Sequence, residues 1–316
     1  MQTSTPTPTR TTPAVPTRAA LVIGICAGGA LATQIRINAT LGERLGSSLL
    51  AAFVSFGSGL AVMLVVVAVR PATRRGLRRL RAERLAAWNY LSGVGGAVAV
   101  TTFIVVVPTI GVAVFAIAAV TGQLVGGLIV DRLGFSPAGR RRITGPRLAG
   151  VTIAIVGVAV TQLDKSFGEI AVGMIAVAFV VSVIGAFQIA LNGRLIRAAH
   201  DAYAATTVHT AVAAITTGVF LGIAAMTNGV ATDTWPAQWW LYLGGVAGVL
   251  FVAGMTIGAR SLDVLRVALA VNGGQLAGAL VIDAFMPGGP GVSAPLLVGA
   301  GLTFVAVAVA STPQRS

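Results

Sequence analysis

One decapeptide occurs twice in this 316-residue chain, each time inside a long apolar run. GQLVGGLIVD (Gly122 to Asp131) returns 152 residues later as GQLAGALVID (Gly274 to Asp283), with Gly, Gln, Leu, Gly, Leu and Asp at matching places. This constrains the fold strongly, because it calls for two copies of one membrane-embedded substructure sharing the same polar positions.

Composition agrees. With 56% hydrophobic residues, 10% charged residues and a mean hydropathy of +0.90, the chain has too few charges to cover a soluble surface of its length. Ten apolar runs can be read, at 19–38, 47–69, 88–107, 111–130, 147–163, 170–191, 203–226, 239–259, 264–283 and 293–311. About 20 residues in a helix cross a hydrocarbon core of roughly 30 Å. Helices satisfy their own backbone in lipid. A strand barrel would alternate apolar and polar residues, and these runs are continuously apolar. The expected fold class is an all-α membrane protein of ten transmembrane helices arranged as two inverted five-helix repeats. The expected divisions are a disordered Thr- and Pro-rich cytoplasmic tail (1–18), a first repeat (19–163) and a second repeat (164–312). Pro108, the Asp164–Lys165 pair and Pro287 to Pro290 punctuate the spans.

Ten spans put both termini on one side, and nineteen of the 22 Lys and Arg fall there; only Arg36, Arg44 and Lys165 lie opposite. By the positive-inside rule both termini face the cytoplasm. The net charge of +13 is thus a topology signal, and nucleic-acid binding is not expected. The basic segment from Arg70 to Arg84 reads either as an amphipathic helix on the anionic inner leaflet or as a solvated loop.

The halves match beyond the decapeptide. Their first helices end in Gln34 with Asn38 and in Gln188 with Asn192, and residues four apart share a helix face. Their third helices open on Trp88 and Tyr90, and on Trp240 and Tyr242, which suit an interfacial belt. Small residues follow at four-residue spacing: Ser92 and Gly96, Gly244 and Gly248, Gly122 and Gly126, Gly274 and Gly278. Such patterns let helix backbones approach closely. Five spans per half is an odd number, so the second copy sits upside down relative to the first. That architecture offers two equivalent packings around a shared midplane site, which points to transport.

Gln123 and Gln275, near mid-span, are the leading substrate-binding candidates. Gln34, Asn38, Gln188 and Asn192 are further candidates nearer the helix ends. For all six the competing reading is inter-helix packing, worth about 1 kcal/mol or less in membranes. Asp131 and Asp283 are expected either in gates or coupling sites or as markers of the membrane edge, paired with a neighbour such as Arg132. His209, matched by Ser55 in the first half, is either a proton-coupling residue or a hydrogen-bonded packing residue. The chain holds no HExxH, GxSxG or P-loop pattern. Its single cysteine, Cys26, permits no internal disulfide. No enzyme activity, cofactor or metal is expected.

The chain resembles the YdcZ branch of the drug/metabolite transporter superfamily. The resemblance is carried by Gln34-Ile-Arg-Ile-Asn38, Trp88-x-Tyr-Leu-x-Gly93, Gly111-Val-Ala and Gly122-Gln123…Asp131. In the second half Gln188…Asn192, Tyr242-Leu-Gly-Gly245 and Gly274-Gln275…Asp283 carry it. Many members of that branch resemble one half, and two are fused here. The resemblance implies a central cavity lined by the first four helices of each half, with the fifth helices (147–163 and 293–311) packed outside. The second half departs at Arg260, where the first has Pro108, and at Asp263, where the first has Gly111. The expected function is alternating-access movement of a small metabolite or drug-like solute across the cytoplasmic membrane, with export direction implied by the resemblance alone. A non-transporting membrane scaffold is the alternative. The expected partners are a small-molecule substrate and the lipid bilayer, with a homodimer left open.

Overall fold

The structure, a computed structural model, describes residues 15–135, 140, 143–163, 169–227, 235–262, 264–285 and 291–312. Several features read from the sequence lie outside these residues: most of the N-terminal tail, Arg141, Arg142, the Asp164–Lys165 and Pro287–Pro290 punctuation, and Asp263.

The described residues form eleven α-helices: α1 (Thr17–Leu45), α2 (Ser48–Val69), α3 (Pro71–Ala82), α4 (Ser92–Ile110), α5 (Val112–Leu133), α6 (Gly145–Val160), α7 (Glu169–Ala199), α8 (Ala202–Thr227), α9 (Gly244–Ser261), α10 (Val264–Phe285) and α11 (Ala294–Ala310). Eight segments are long and apolar enough to cross a membrane, and α6 and α11 are shorter apolar helices. The first helix of each half outruns its expected span. α1 continues seven residues past Asn38 to Leu45, where Gly46 turns left-handed at φ 64°. α7 continues to the matching Ala199, where His200 does the same at φ 53°. The Gln-x-x-x-Asn pairs therefore sit inside their helices. The local sequence after them stays helix-compatible until a left-handed residue ends it.

Pro108 does not separate two helices. It lies within α4, with its ring on an exposed position, and the break comes at Gly111 (φ 84°). Only a residue without Cβ enters that backbone region cheaply, so a single glycine joins α4 to α5. The aromatic pairs also stand apart from α4 and α9, in short 3-10 turns at Ala87–Leu91 and Trp239–Leu243.

Basic residues 70–84 do form a helix, α3, started by Pro71 at a position where the missing N–H costs nothing. Thr73, Gly76 and Leu80 make its buried face, and Gly76 lies against Ala199, Asp201 and Ala204 at the α7–α8 corner. Arg70 fixes the approach. Its guanidinium lies 3.8 Å from Asp201 and 4.3 Å above the Tyr203 ring. Asp201 also caps α8 by accepting from the Ala204 N–H at 2.8 Å. Arg74, Arg75, Arg78, Arg79, Arg81 and Arg84 remain exposed. Among the described residues α3 has no counterpart in the second half.

The halves pack reciprocally. α1 lies on α10 and α9, as α7 lies on α5 and α4; α2 meets α8, and α6 meets α11. Glycines set the closest crossings. A Cβ on Gly274 would lie 2.0 Å from the Ile25 carbonyl oxygen, and one on Gly122 would lie 2.4 Å from the carbonyl oxygen of Phe179, the residue matching Ile25. Gly278 then meets Gly29 and Ala32, as Gly126 meets the matching Val183 and Ala186. These are the small-residue pairs expected from the sequence, and each joins one half to the other. The short helices α6 and α11 run antiparallel, with Gly150 over Ala306 and Ala310 and Gly157 over Gly299. They cover α5 and α10 from outside.

The reciprocity fails at one end. α1 also contacts α4 and α5, and α11 contacts α5, but among the described residues α7 makes no matching contact with α9 or α10, nor α6 with α10. The main hydrophobic core gathers the C-terminal halves of α1 and α4, the start of α2 and the first half of α5. It therefore lies toward the face where α1 ends and α5 begins, here the far face. Toward the opposite face, which carries the start of α1 and the end of α11, only small satellite clusters form. The bundle is tight at the far face and loose at the termini face.

Candidate functional site

Each candidate residue sits on a helix that joins the two halves. Gln34 lies against Gly248 and Asn38 against Gly244, both on α9. On the other side Gln188 lies against Gly95 and the His209 ring against Gly96, both on α4. The small residues that open α4 and α9 are what let these polar side chains fit between helices.

The equivalent pairs differ in how they are satisfied. Asn38, 0% exposed, donates its amide N–H to Ser55 Oγ at 2.8 Å, while its Oδ1 lies buried without a partner among the described residues. In the second half the matching residues are Asn192 and His209, both half-buried. Their backbones are equivalent too, since Gly93 meets the His209 carbonyl as Gly245 meets the Ser55 carbonyl. Yet Asn192 Oδ1 and His209 Nδ1 both lie buried without a hydrogen-bond partner among the described residues. Ser55 was not legible as a polar partner from the sequence, because a serine in an apolar helix usually bonds only to its own preceding turn.

Gln123 is half-buried and Gln275 is 4% exposed, on helices that contact each other. Neither side-chain amide makes a protein hydrogen bond among the described residues. The threonines nearby differ, because Thr121, Thr206, Thr207, Thr216 and Thr217 all donate back to carbonyls of their own helices. A hydroxyl can satisfy itself on the preceding turn, whereas a glutamine amide must look outward for a partner.

The two aspartates that close the decapeptides do different things. Asp283, 3% exposed, accepts from the backbone N–H of Val112 at 3.1 Å and of Ala113 at 2.8 Å. It thereby caps the first turn of α5 from the other half of the protein. Arg36 lies close enough to act on it electrostatically. The sequence gives no sign of this use of Asp283, because the capped turn is 170 residues away. Asp131 pairs with Arg147 at the start of α6 rather than with Arg132. Arg132 projects from the helix one position further on, about 100° around the axis. Arg194 completes the termini face by donating to the Phe135 carbonyl at 3.1 Å and lying 4.8 Å from the Trp88 ring centre. No group of three or more potential metal ligands occurs among the described residues.

The architecture defines a class: an all-helical membrane protein built from two repeats, with polar residues held between them. A family profile described as "Putative inner membrane exporter, YdcZ" matches the chain twice, at residues 19–160 and 173–310. The chain belongs to this family, carries two of its units fused, and is a multi-pass inner membrane protein. A solved structure titled "Crystal structure of protein" is similar in fold, with a TM-score of 0.61, 18% sequence identity, and coverage of 93% of this chain and 96% of that one. A search of curated proteins gave no match.

Proposed function

We propose that this protein carries a small metabolite or drug-like solute out of the cell by alternating access, through ten membrane crossings in which α6 and α11 are the short outer pair. One observation carries the reading. Two halves of matching sequence make matching contacts except that α1 packs on α4 and α5 and α11 packs on α5, while among the described residues α7 stays away from α9 and α10 and α6 from α10. Two repeats with equivalent surfaces have two equivalent packings, and a bundle tight at one face and loose at the other is one of them. The arginine distribution places the termini face in the cytoplasm, so the state described here opens inward, ready to load an exported solute. α3 then lies along the inner leaflet with its five exposed arginines among lipid headgroups. Gln123 and Gln275 contact the solute near the midplane, and the remaining lining is apolar with hydroxyls. Asn38 serves packing, since its amide is already held by Ser55.

The test compares the metabolite content of cells and medium for the wild type and for the Gln123→Leu, Gln275→Leu double variant at equal membrane levels. A solute enriched outside only with the wild type identifies the substrate and the direction. If no solute differs under several growth conditions while a partner protein is lost with the variant, the protein is a scaffold and the transport reading falls.

A further inference from the structure

We propose that Asp131 and Asp283 are alternate latches: each carboxylate caps the first turn of the fourth repeat helix in the opposite half, so that one holds the far face shut and the other holds the termini face shut. The proposal rests on the alternating-access reading and specifies what holds each state closed.

The latch at the far face is formed. Asp283 reaches from the end of α10 to the start of α5 and takes two of its unpaired N–H groups. A helix start carries partial positive charge, and a carboxylate placed there in a dry site is held more firmly than at a water-exposed helix end. Gly111, with its φ of 84°, holds the backbone bend that opens that turn. The carboxylate comes from one repeat and the helix start from the other, so the bond can form only while the two halves lie together at that face.

The termini face carries the equivalent carboxylate and helix start, unlatched, with Asp263 in the sequence where the far face has Gly111. The 152-residue offset that relates Asp131 to Asp283 relates Val112 and Ala113 to Val264 and Leu265. Asp131 thus stands to the first turn of α10 as Asp283 stands to that of α5. It makes no bond there and is instead paired with Arg147 of its own half. α11 has no basic residue to play the part of Arg147 for Asp283. This placement follows from the loose packing of the termini face. When that face closes and the far face opens, Asp131 leaves Arg147 for the Val264 and Leu265 N–H groups, and Asp283 releases Val112 and Ala113. α5 and α10 run antiparallel and touch, so they open and close like scissors, with one latch at each end.

The test uses the full chain in lipid nanodiscs with its exposed Cys26 replaced by alanine. Single cysteines are placed at the equivalent positions Ala116, which is 0% exposed, and Ala268, which is half-buried, and their reaction with a hydrophilic maleimide is timed. The wild-type latch background labels faster at Ala268→Cys. Adding Asp283→Ala raises labelling at Ala116→Cys about tenfold and slows it at Ala268→Cys, the expected scale for losing a two-bond helix cap. Adding Asp131→Ala does the reverse, slowing Ala116→Cys further, because the state that exposes it loses its latch. Arg147→Ala frees Asp131 and raises labelling at Ala116→Cys. If Asp131 only paired with Arg147, Asp131→Ala and Arg147→Ala would act alike, and that result overturns the proposal. So does an Asp283→Ala protein that is monodisperse with both rates unchanged. Should Asp283→Ala fail to fold, the opposed signs of Asp131→Ala and Arg147→Ala decide alone. Labelling at both sites in the wild type with neither aspartate variant moving the ratio defeats the latch and leaves alternating access standing. A wild type and variants that never label at Ala116→Cys defeat alternating access itself.

Discussion

The first turns of α5 and α10 are equivalent in the repeat and unlike in their surroundings. Every residue from Val112 to Gly122 is buried. Of the matching stretch in α10, Arg266 is exposed, and only Val267, Ala270, Val271 and Gly274 are buried among the residues from 266 to 274. The sequences differ in step: Arg266 stands where α5 has Val114, and Asn272 where it has Val120. The difference teaches that the repeat fixes which helices meet, while the polarity of each copy is adjusted to the face it occupies. A helix start packed on all sides tolerates no charge, whereas one that opens toward an aqueous face does.

The sharpest way to break this comparison is to exchange the differing residues. Val114→Arg puts a guanidinium at a position 3% exposed, in the middle of the main core. It should cost about 3 kcal/mol or more and abolish monodisperse protein on size exclusion. Arg266→Val, at an exposed position, should lower yield and melting temperature far less than Val114→Arg. If both are tolerated, α5 is not packed as described.

Next come the paired glycines, where the halves should behave alike. Gly122→Ala and Gly274→Ala each drive a Cβ into a carbonyl of the partner helix, at 2.4 Å and 2.0 Å. Each should lower stability by about 1–3 kcal/mol, with Gly274→Ala the worse, measured as a fall in thermal midpoint. A change in only one would show that the two crossings are not equivalent.

Smaller still is the contrast between the amides. Asn38→Ala removes a buried hydrogen bond and leaves Ser55 unpaired, and should cost about 1 kcal/mol. Asn192→Ala removes a side chain that makes no hydrogen bond among the described residues, and should be near neutral in thermal stability. The smallest effect is expected at α3. Arg78→Gln with Arg79→Gln should weaken retention of anionic phospholipid by about 1 kcal/mol per arginine, read by native mass spectrometry, with stability unchanged.

Much of this was legible in the sequence because lipid simplifies the problem. The apolar runs had to be helices, and their ends were marked by glycine and by charge. The small residues at Gly122, Gly126, Gly274 and Gly278 had few uses other than close packing. Pro108 misled because a proline near the end of a helix need not end it; one lost hydrogen bond is tolerated where the ring faces outward and neighbours hold the helix. Asp131 misled because the nearest arginine in sequence points to another side of the helix.

The sequence by itself determined the helices, the repeat and the inversion, since each follows from local hydrophobic length, from self-similarity and from the parity of five. Which end of the bundle is closed was decided only by tertiary structure. The two halves carry matching surfaces, so which end packs more tightly turns on contacts between residues far apart in the chain. Asp283 on the α5 turn and Asp131 on Arg147 are such contacts, and no local pattern encodes them.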